Sequence, residues 1–193
     1  AGVFVLARML PVIALSHVGL TLLTTIGIIT ALVGGFLACF QTDIKKMLAY
    51  STISQLGLMF VGLGANAAVP TLFHLTTHAF FKSMLFLAAG IIIHATHTQD
   101  MRKMGGLARK MPITTVVFSI GAFSLAGLVP LSGFFSKDEI FASVLKTGNM
   151  TIFVLGLVMA LTTALYVSKA WLTVFFGKPR TKGVHEGPAL ELV

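Results

Sequence analysis

Long apolar runs separated by short polar joints dominate this chain. A bilayer core of about 30 Å takes about 20 helical residues at roughly 1.5 Å each. Runs of that order fall at about residues 20–40, 46–64, 69–93, 112–147 and 151–176. A shorter apolar stretch, about 1–10, opens the chain and reads as the tail of a helix that began earlier. Every long run exceeds the roughly 9–11 residues of a barrel strand, and none alternates strictly, so the period favours helix. The pattern predicts an all-α integral membrane protein, a polytopic helix bundle over 1–178, with a polar segment at 179–193.

One run is anomalous. Residues 112–147 would extend roughly 55 Å if wholly helical. Gly127, Pro130 and Gly133 cluster in its middle, and proline removes an amide donor and clashes with the preceding turn. The expectation is one discontinuous helix, broken near 127–133. Such breaks persist at membrane depth only where protein or a wet cavity satisfies the freed backbone groups, and they mark ion sites in transporters.

Composition narrows the class. Of 193 residues, 56% are hydrophobic and 10% charged, against about 25% charged in ordinary globular proteins. Mean hydropathy is +0.94. A soluble domain and a disordered chain are both excluded. A single cysteine, Cys39, excludes an internal disulfide framework and a cysteine-built metal site. The net charge of +8 sits mostly in the joints, which reads as topology rather than as a nucleic-acid surface. One side receives Lys45, Lys46, Arg102, Lys103, Arg109, Lys110, Lys178, Arg180 and Lys182; the other receives Arg8 and Lys146. The basic side is expected to be cytoplasmic. Ala1-Gly2 does not open a signal peptide, and the chain is expected to be a fragment of a longer protein.

The chemistry should lie in the few charges inside the spans. His74, His78 and Lys82 are spaced i, i+4, i+8 and share one stripe of the fourth span. Histidine titrates near neutrality and can relay protons. Lys82 lies mid-span, roughly 17 Å from either end, beyond the reach of a snorkelling lysine. The pair His74 and His78 has metal-ligand spacing, but no third ligand accompanies it. After the break come Ser136, Lys137, Asp138 and Glu139, then apolar Ile140 and Phe141. This tetrad is either a wet helix exit or a buried lysine with a switchable carboxylate partner, Asp138 or Glu139. Burial disfavours the ammonium form and an adjacent carboxylate favours it, so the two can be balanced to load and release a proton. Of Lys45 and Lys46 behind Asp43, at least one reads as an interfacial anchor, and Lys169 as an anchor or a buried group. Ser51, Thr52, Ser54 and Gln55 put a polar face on the third span, for a wet path or for helix–helix bonding. Gly62 through Ala67 matches a dinucleotide-loop pattern but follows a membrane helix, not a strand, and is chance. Asn149-Met150-Thr151 is a low-specificity glycosylation sequon.

Four stretches resemble one family. Thr42 through Gly57, Phe73 through Ser83, Met104-Gly105-Gly106-Leu107 and Gly133 through Ile140 are similar to signatures of the antiporter-like subunits of respiratory complex I and of Mrp-type cation/proton antiporters. Within that family the last stretch is most similar to the L-type branch of bacterial NADH–quinone oxidoreductase, since other branches carry glutamate at the matching lysine. The resemblance covers residues 1 to about 178. It implies a scaffold of two inverted five-helix repeats, this chain holding the second repeat and the tail of the first. It implies that Lys137 is the terminal protonatable lysine with Asp138 as gating acid. Lys82, flanked by His74 and His78, would lie on a hydrated axis, with Lys45 on that axis and Asp43 at its cytoplasmic mouth. A glutamate and a lysine of the first repeat would lie upstream, and a long lateral helix downstream. His17 and His97 match no family position and read as loop residues.

The resemblance further implies a proton-translocating subunit in the bacterial inner membrane, partnered by other complex I membrane subunits and the lipid bilayer. No cofactor is expected in this chain: NADH, FMN, iron–sulphur clusters and quinone would be bound by other subunits. No nucleic acid partner and no metal are expected. An Mrp-type antiporter or membrane-bound hydrogenase subunit, an uncoupled channel and a passive anchor are the other readings, the last opposed by the mid-span Lys82.

Overall fold

The computed structural model describes residues 2–180; Lys182 and the rest of the 181–193 tail lie outside the described residues. Among the described residues, seven α-helices follow one another: α1 (Gly2–Ile13), α2 (His17–Phe40), α3 (Ile44–Gly64), α4 (Ala68–Thr96), α5 (Pro112–Ala126), α6 (Ser132–Lys146) and α7 (Met150–Phe175). Four of them, α2, α3, α4 and α7, are long and apolar enough to cross a membrane. The described residues form an all-α bundle with no named strand.

Local chemistry sets the helix ends. Ser16 caps α2 by accepting from Gly19 N at 3.3 Å, so α2 begins at His17 rather than at residue 20, and His17 opens a helix instead of lying in a loop. Asp43 caps α3, accepting from Lys45 N at 2.8 Å and Lys46 N at 3.0 Å. Asn149 caps α7 through Ile152 N at 3.2 Å. Each satisfies amides that a helix start leaves free. His97 closes α4 in the left-handed conformation. Arg8 lies within α1 rather than in a joint, 6.0 Å from the Phe4 ring centroid.

Between α2 and α3 the backbones touch. A Cβ on Gly57 would overlap the Ala31 amide and lie 2.6 Å from Gly27 O, and one on Gly27 would lie 2.7 Å from Val61 N. Small residues allow this approach, which replaces the hydrophobic drive that lipid cannot supply between helices. Ser54 Oγ crosses the contact to Ala31 O at 2.7 Å. Because the obstacle is backbone, Gly57→Ala should cost about 3 kcal/mol, the upper range of overpacking. Thermal release of the chain from its detergent-extracted assembly at a lower temperature than wild type checks this.

The fifth apolar run is two half-helices. α5 and α6 have 15 residues each, too few to cross alone. Gly127, at φ +83°, turns the chain out of α5, its N–H bonded to Phe123 O and Ser124 O. Leu128, Val129 and Pro130 then form an exposed apolar elbow. α6 restarts so close to α5 that a Cβ on Gly133 would overlap the Ser124 carbonyl.

The basic residues collect at one end. Thr42 and Ile44 pair with Met101 and Gln99 (Met101 N to Thr42 O 2.8 Å, Ile44 N to Gln99 O 3.0 Å), and Gly106 N meets Phe176 O at 3.2 Å. Arg180 donates to the Arg102 carbonyl. Hydrogen bonds from the Arg102 guanidinium and backbone hold the Asp100 carboxyl below its usual range, and their ion pair is 2.9 Å. Met101, Met104, Leu107 and Met111 tuck this strap against the core.

Candidate functional site

α3, α4, α6 and α7 enclose a set of buried polar side chains. Lys82 is residue 15 of the 29 in α4, its midpoint. It is 5% exposed. Its Nζ donates to Leu48 O at 2.8 Å and to Ser51 Oγ at 2.7 Å, both on α3, and stands 5.3 Å from the Phe86 ring centroid.

Lys137 occupies the second turn of α6 and is 4% exposed. Its Nζ donates to Leu125 O at 2.6 Å. That carbonyl lies in the last turn of α5, where a helix leaves acceptors unused and carries partial negative charge. The break therefore does two things at once. It frees an acceptor, and it directs the lysine from the next half-helix onto it.

Between the lysines lie the histidines. His74 Nε2 meets Gln55 Oε1 at 3.1 Å, and His74 Nδ1 meets Ser136 Oγ at 2.8 Å. With an amide oxygen at Nε2, that nitrogen carries the proton of neutral His74, and Nδ1 accepts from the Ser136 hydroxyl. Thr77 Oγ1 approaches the same hydroxyl at 3.2 Å. His78, one turn on, has its ring centroid 6.1 Å from that of His74. Both lysines act on it electrostatically, and its Nε2 is buried without a hydrogen-bond partner. Phe81 packs edge-on against His78 at 5.3 Å between centroids.

Four of the expected residues, His74, His78, Lys82 and Lys137, are thus brought together. Three are not. Asp138 lies about 100° round α6 from Lys137 and is exposed, as is Glu139. Neither lysine pairs with a carboxylate among the described residues, so the expected Lys137–Asp138 pair is absent and a backbone carbonyl takes its place. Asp43 is the α3 cap and Lys45 is exposed beside it, roughly 9 Å along the helix before Ser51. Lys169, left open by the sequence, donates to Cys39 O at 2.8 Å and caps the end of α2. Thr163 and Tyr166 are parts of the site that the sequence reading missed, and Ser136, read there only as a member of the tetrad, bonds His74. Ser136 had a signal in its place beside Lys137, and Thr163 and Tyr166 had one in their i, i+3 spacing, which puts them on one face of the last span.

This fold and site define an antiporter-like membrane subunit. Residues 1–163 match the family described as NADH:quinone oxidoreductase/Mrp antiporter, TM, and the chain belongs to that family. It is 48% identical over 180 residues to NADH-quinone oxidoreductase subunit L of Rickettsia bellii, covering 93% of this chain and 28% of that protein. Against subunit L of Escherichia coli K12 the identity is 44% over 202 residues, covering all of this chain (100%) and 33% of that protein. The chain therefore spans about 28–33% of the length of these relatives. Among solved structures, the membrane-bound sulfane sulfur reductase, an archaeal respiratory membrane complex, is similar at TM-score 0.85 and 33% identity, over 90% of this chain and 30% of that one. The Mrp complex of Dietzia sp. DQ12-45-1b shares the fold at TM-score 0.78 and 24% identity, over 90% and 36% of the two chains.

Proposed function

We propose that this chain conducts protons through the membrane as part of a subunit of NADH–quinone oxidoreductase, along Lys82, His78, His74 and Lys137. The carrying observation is the pair of lysines buried deep in a membrane bundle, each held by a backbone carbonyl instead of a carboxylate, with two histidines between them. A lysine held only by neutral dipoles has no fixed counter-ion to lock its proton in place. Histidine, with two ring nitrogens, takes a proton at one and releases it at the other. Ser136 and His78 Nε2 would complete the steps toward Lys137 and Lys82.

In this reading Asp138, exposed on the described surface, meets its partner outside this chain or after α6 rotates, and Lys45 and Asp43 lie at the entry. Electron transfer takes place elsewhere: NADH, FMN, iron–sulphur clusters and quinone belong to other subunits. Other membrane subunits of the complex and the lipid are the partners, and the basic end faces the cytoplasm of a bacterial inner membrane. The identity of 43–48% to subunit L relatives favours this over an Mrp-type antiporter, which shares the fold.

Lys82→Ala, introduced into the intact complex in proteoliposomes, is the test. NADH-driven proton uptake should fall at least about a hundredfold, the lower end for losing a positioned proton-transfer group. NADH oxidation by a water-soluble acceptor should stay unchanged. Wild-type proton uptake in this variant would sink the reading.

A further inference from the structure

Tyr166 on α7 lies outside the axis so far described. It is 1% exposed, and its hydroxyl oxygen, Oη, has no partner of hydrogen-bond geometry. Ser51, Gln55 and Thr163 surround that oxygen. Phenylalanine would fill the same core without desolvating a hydroxyl, so the oxygen calls for a role.

A count of donors and acceptors supplies one. A hydroxyl has one proton and two lone pairs, and an amide nitrogen two protons. Ser51 Oγ donates to Leu48 O at 2.8 Å and accepts from Lys82 Nζ at 2.7 Å, leaving one lone pair. Gln55 Nε2 donates one proton to Thr163 Oγ1 at 3.4 Å, leaving the other. Gln55 Oε1 meets His74 at 3.1 Å. Thr163 Oγ1 donates to Met159 O at 3.0 Å. Beside Tyr166, Ser51 Oγ and Thr163 Oγ1 therefore each keep one lone pair and Gln55 Nε2 keeps one proton; of the two acceptors only Ser51 leads to Lys82, and the donor leads to His74.

We propose that Tyr166 is a positioning residue that joins the Lys82–Ser51 pair to the Gln55–His74 branch. Its O–H donates to Ser51 Oγ and its oxygen accepts from Gln55 Nε2, directly or through one bound water. When Lys82 gives up its proton, the Ser51 hydroxyl turns from Leu48 O to the neutral Nζ, and Tyr166 holds Ser51 in place during the turn. No proton leaves Tyr166; the bonds reorient, and the change reaches His74 through Gln55. This role rests on the proton-conduction reading above.

The experiment is a double-mutant cycle in the intact complex. Tyr166→Phe should lower proton uptake about five- to tenfold, as for loss of one buried hydrogen bond, with KM for NADH and quinone unchanged. Adding Tyr166→Phe to His74→Ala should lower uptake no further than His74→Ala alone. Wild-type uptake in Tyr166→Phe, or losses that multiply, would overturn the proposal. Should the variant fail to assemble, a wild-type density map fine enough to show waters decides. Tyr166 Oη linked to both Ser51 and Gln55 supports the role, and Oη linked to neither overturns it. Undiminished uptake in Lys82→Ala would instead overturn the conduction reading itself.

Discussion

A single methyl group at Gly133 is expected to abolish proton uptake. The Cβ of Gly133→Ala would fall on the Ser124 carbonyl, and a backbone group in the last turn of α5 cannot rotate aside. α6 must then withdraw from α5. That withdrawal breaks the 2.6 Å contact of Lys137 Nζ with Leu125 O and pulls Ser136 from His74, now 2.8 Å apart. It also disturbs the Ser124 hydroxyl, which bridges Ser132 Oγ at 3.1 Å and Gly133 N at 3.3 Å. Displacements near 1 Å at a reacting group can cost about a hundredfold in rate, so uptake should fall to background. Gly90→Ala is the control, because nothing lies within 4 Å of the added atom, and its uptake should match wild type.

The second large effect concerns the charge of Lys137. Lys137→Arg keeps a cation and donors that reach the end of α5, so it preserves the electrostatics that hold the break. Arginine, however, stays protonated at any working pH. If Lys137 serves by releasing its proton, arginine should be as poor as alanine, with uptake down at least about a hundredfold for a lost transfer group. A structural cation would instead be rescued by arginine. Uptake assays on both variants, beside NADH oxidation by a soluble acceptor, separate the two roles.

Most of this architecture could be read from periodicity. The apolar runs placed the long helices because a membrane demands a fixed length of unbroken hydrogen-bonded backbone. Gly127, Pro130 and Gly133 marked the break, and the spacing of His74, His78 and Lys82 put them on one stripe. What stayed hidden depends on contacts across the chain. Lys137 is held by Leu125 O, a backbone atom that no side-chain pattern announces. The neighbouring Asp138 faces away from Lys137 because adjacent helical residues point about 100° apart. His74 finds Ser136 across 62 positions, and Tyr166 reaches Ser51 and Gln55 only when α7 packs on α3.

In the proposed conduction path, protons cross at Lys137. The most direct test of this is the number of protons taken up per NADH oxidised by the intact complex in sealed proteoliposomes, wild type against Lys137→Ala. A ratio that falls in the variant, with electron input preserved, is the predicted result; an unchanged ratio would contradict it.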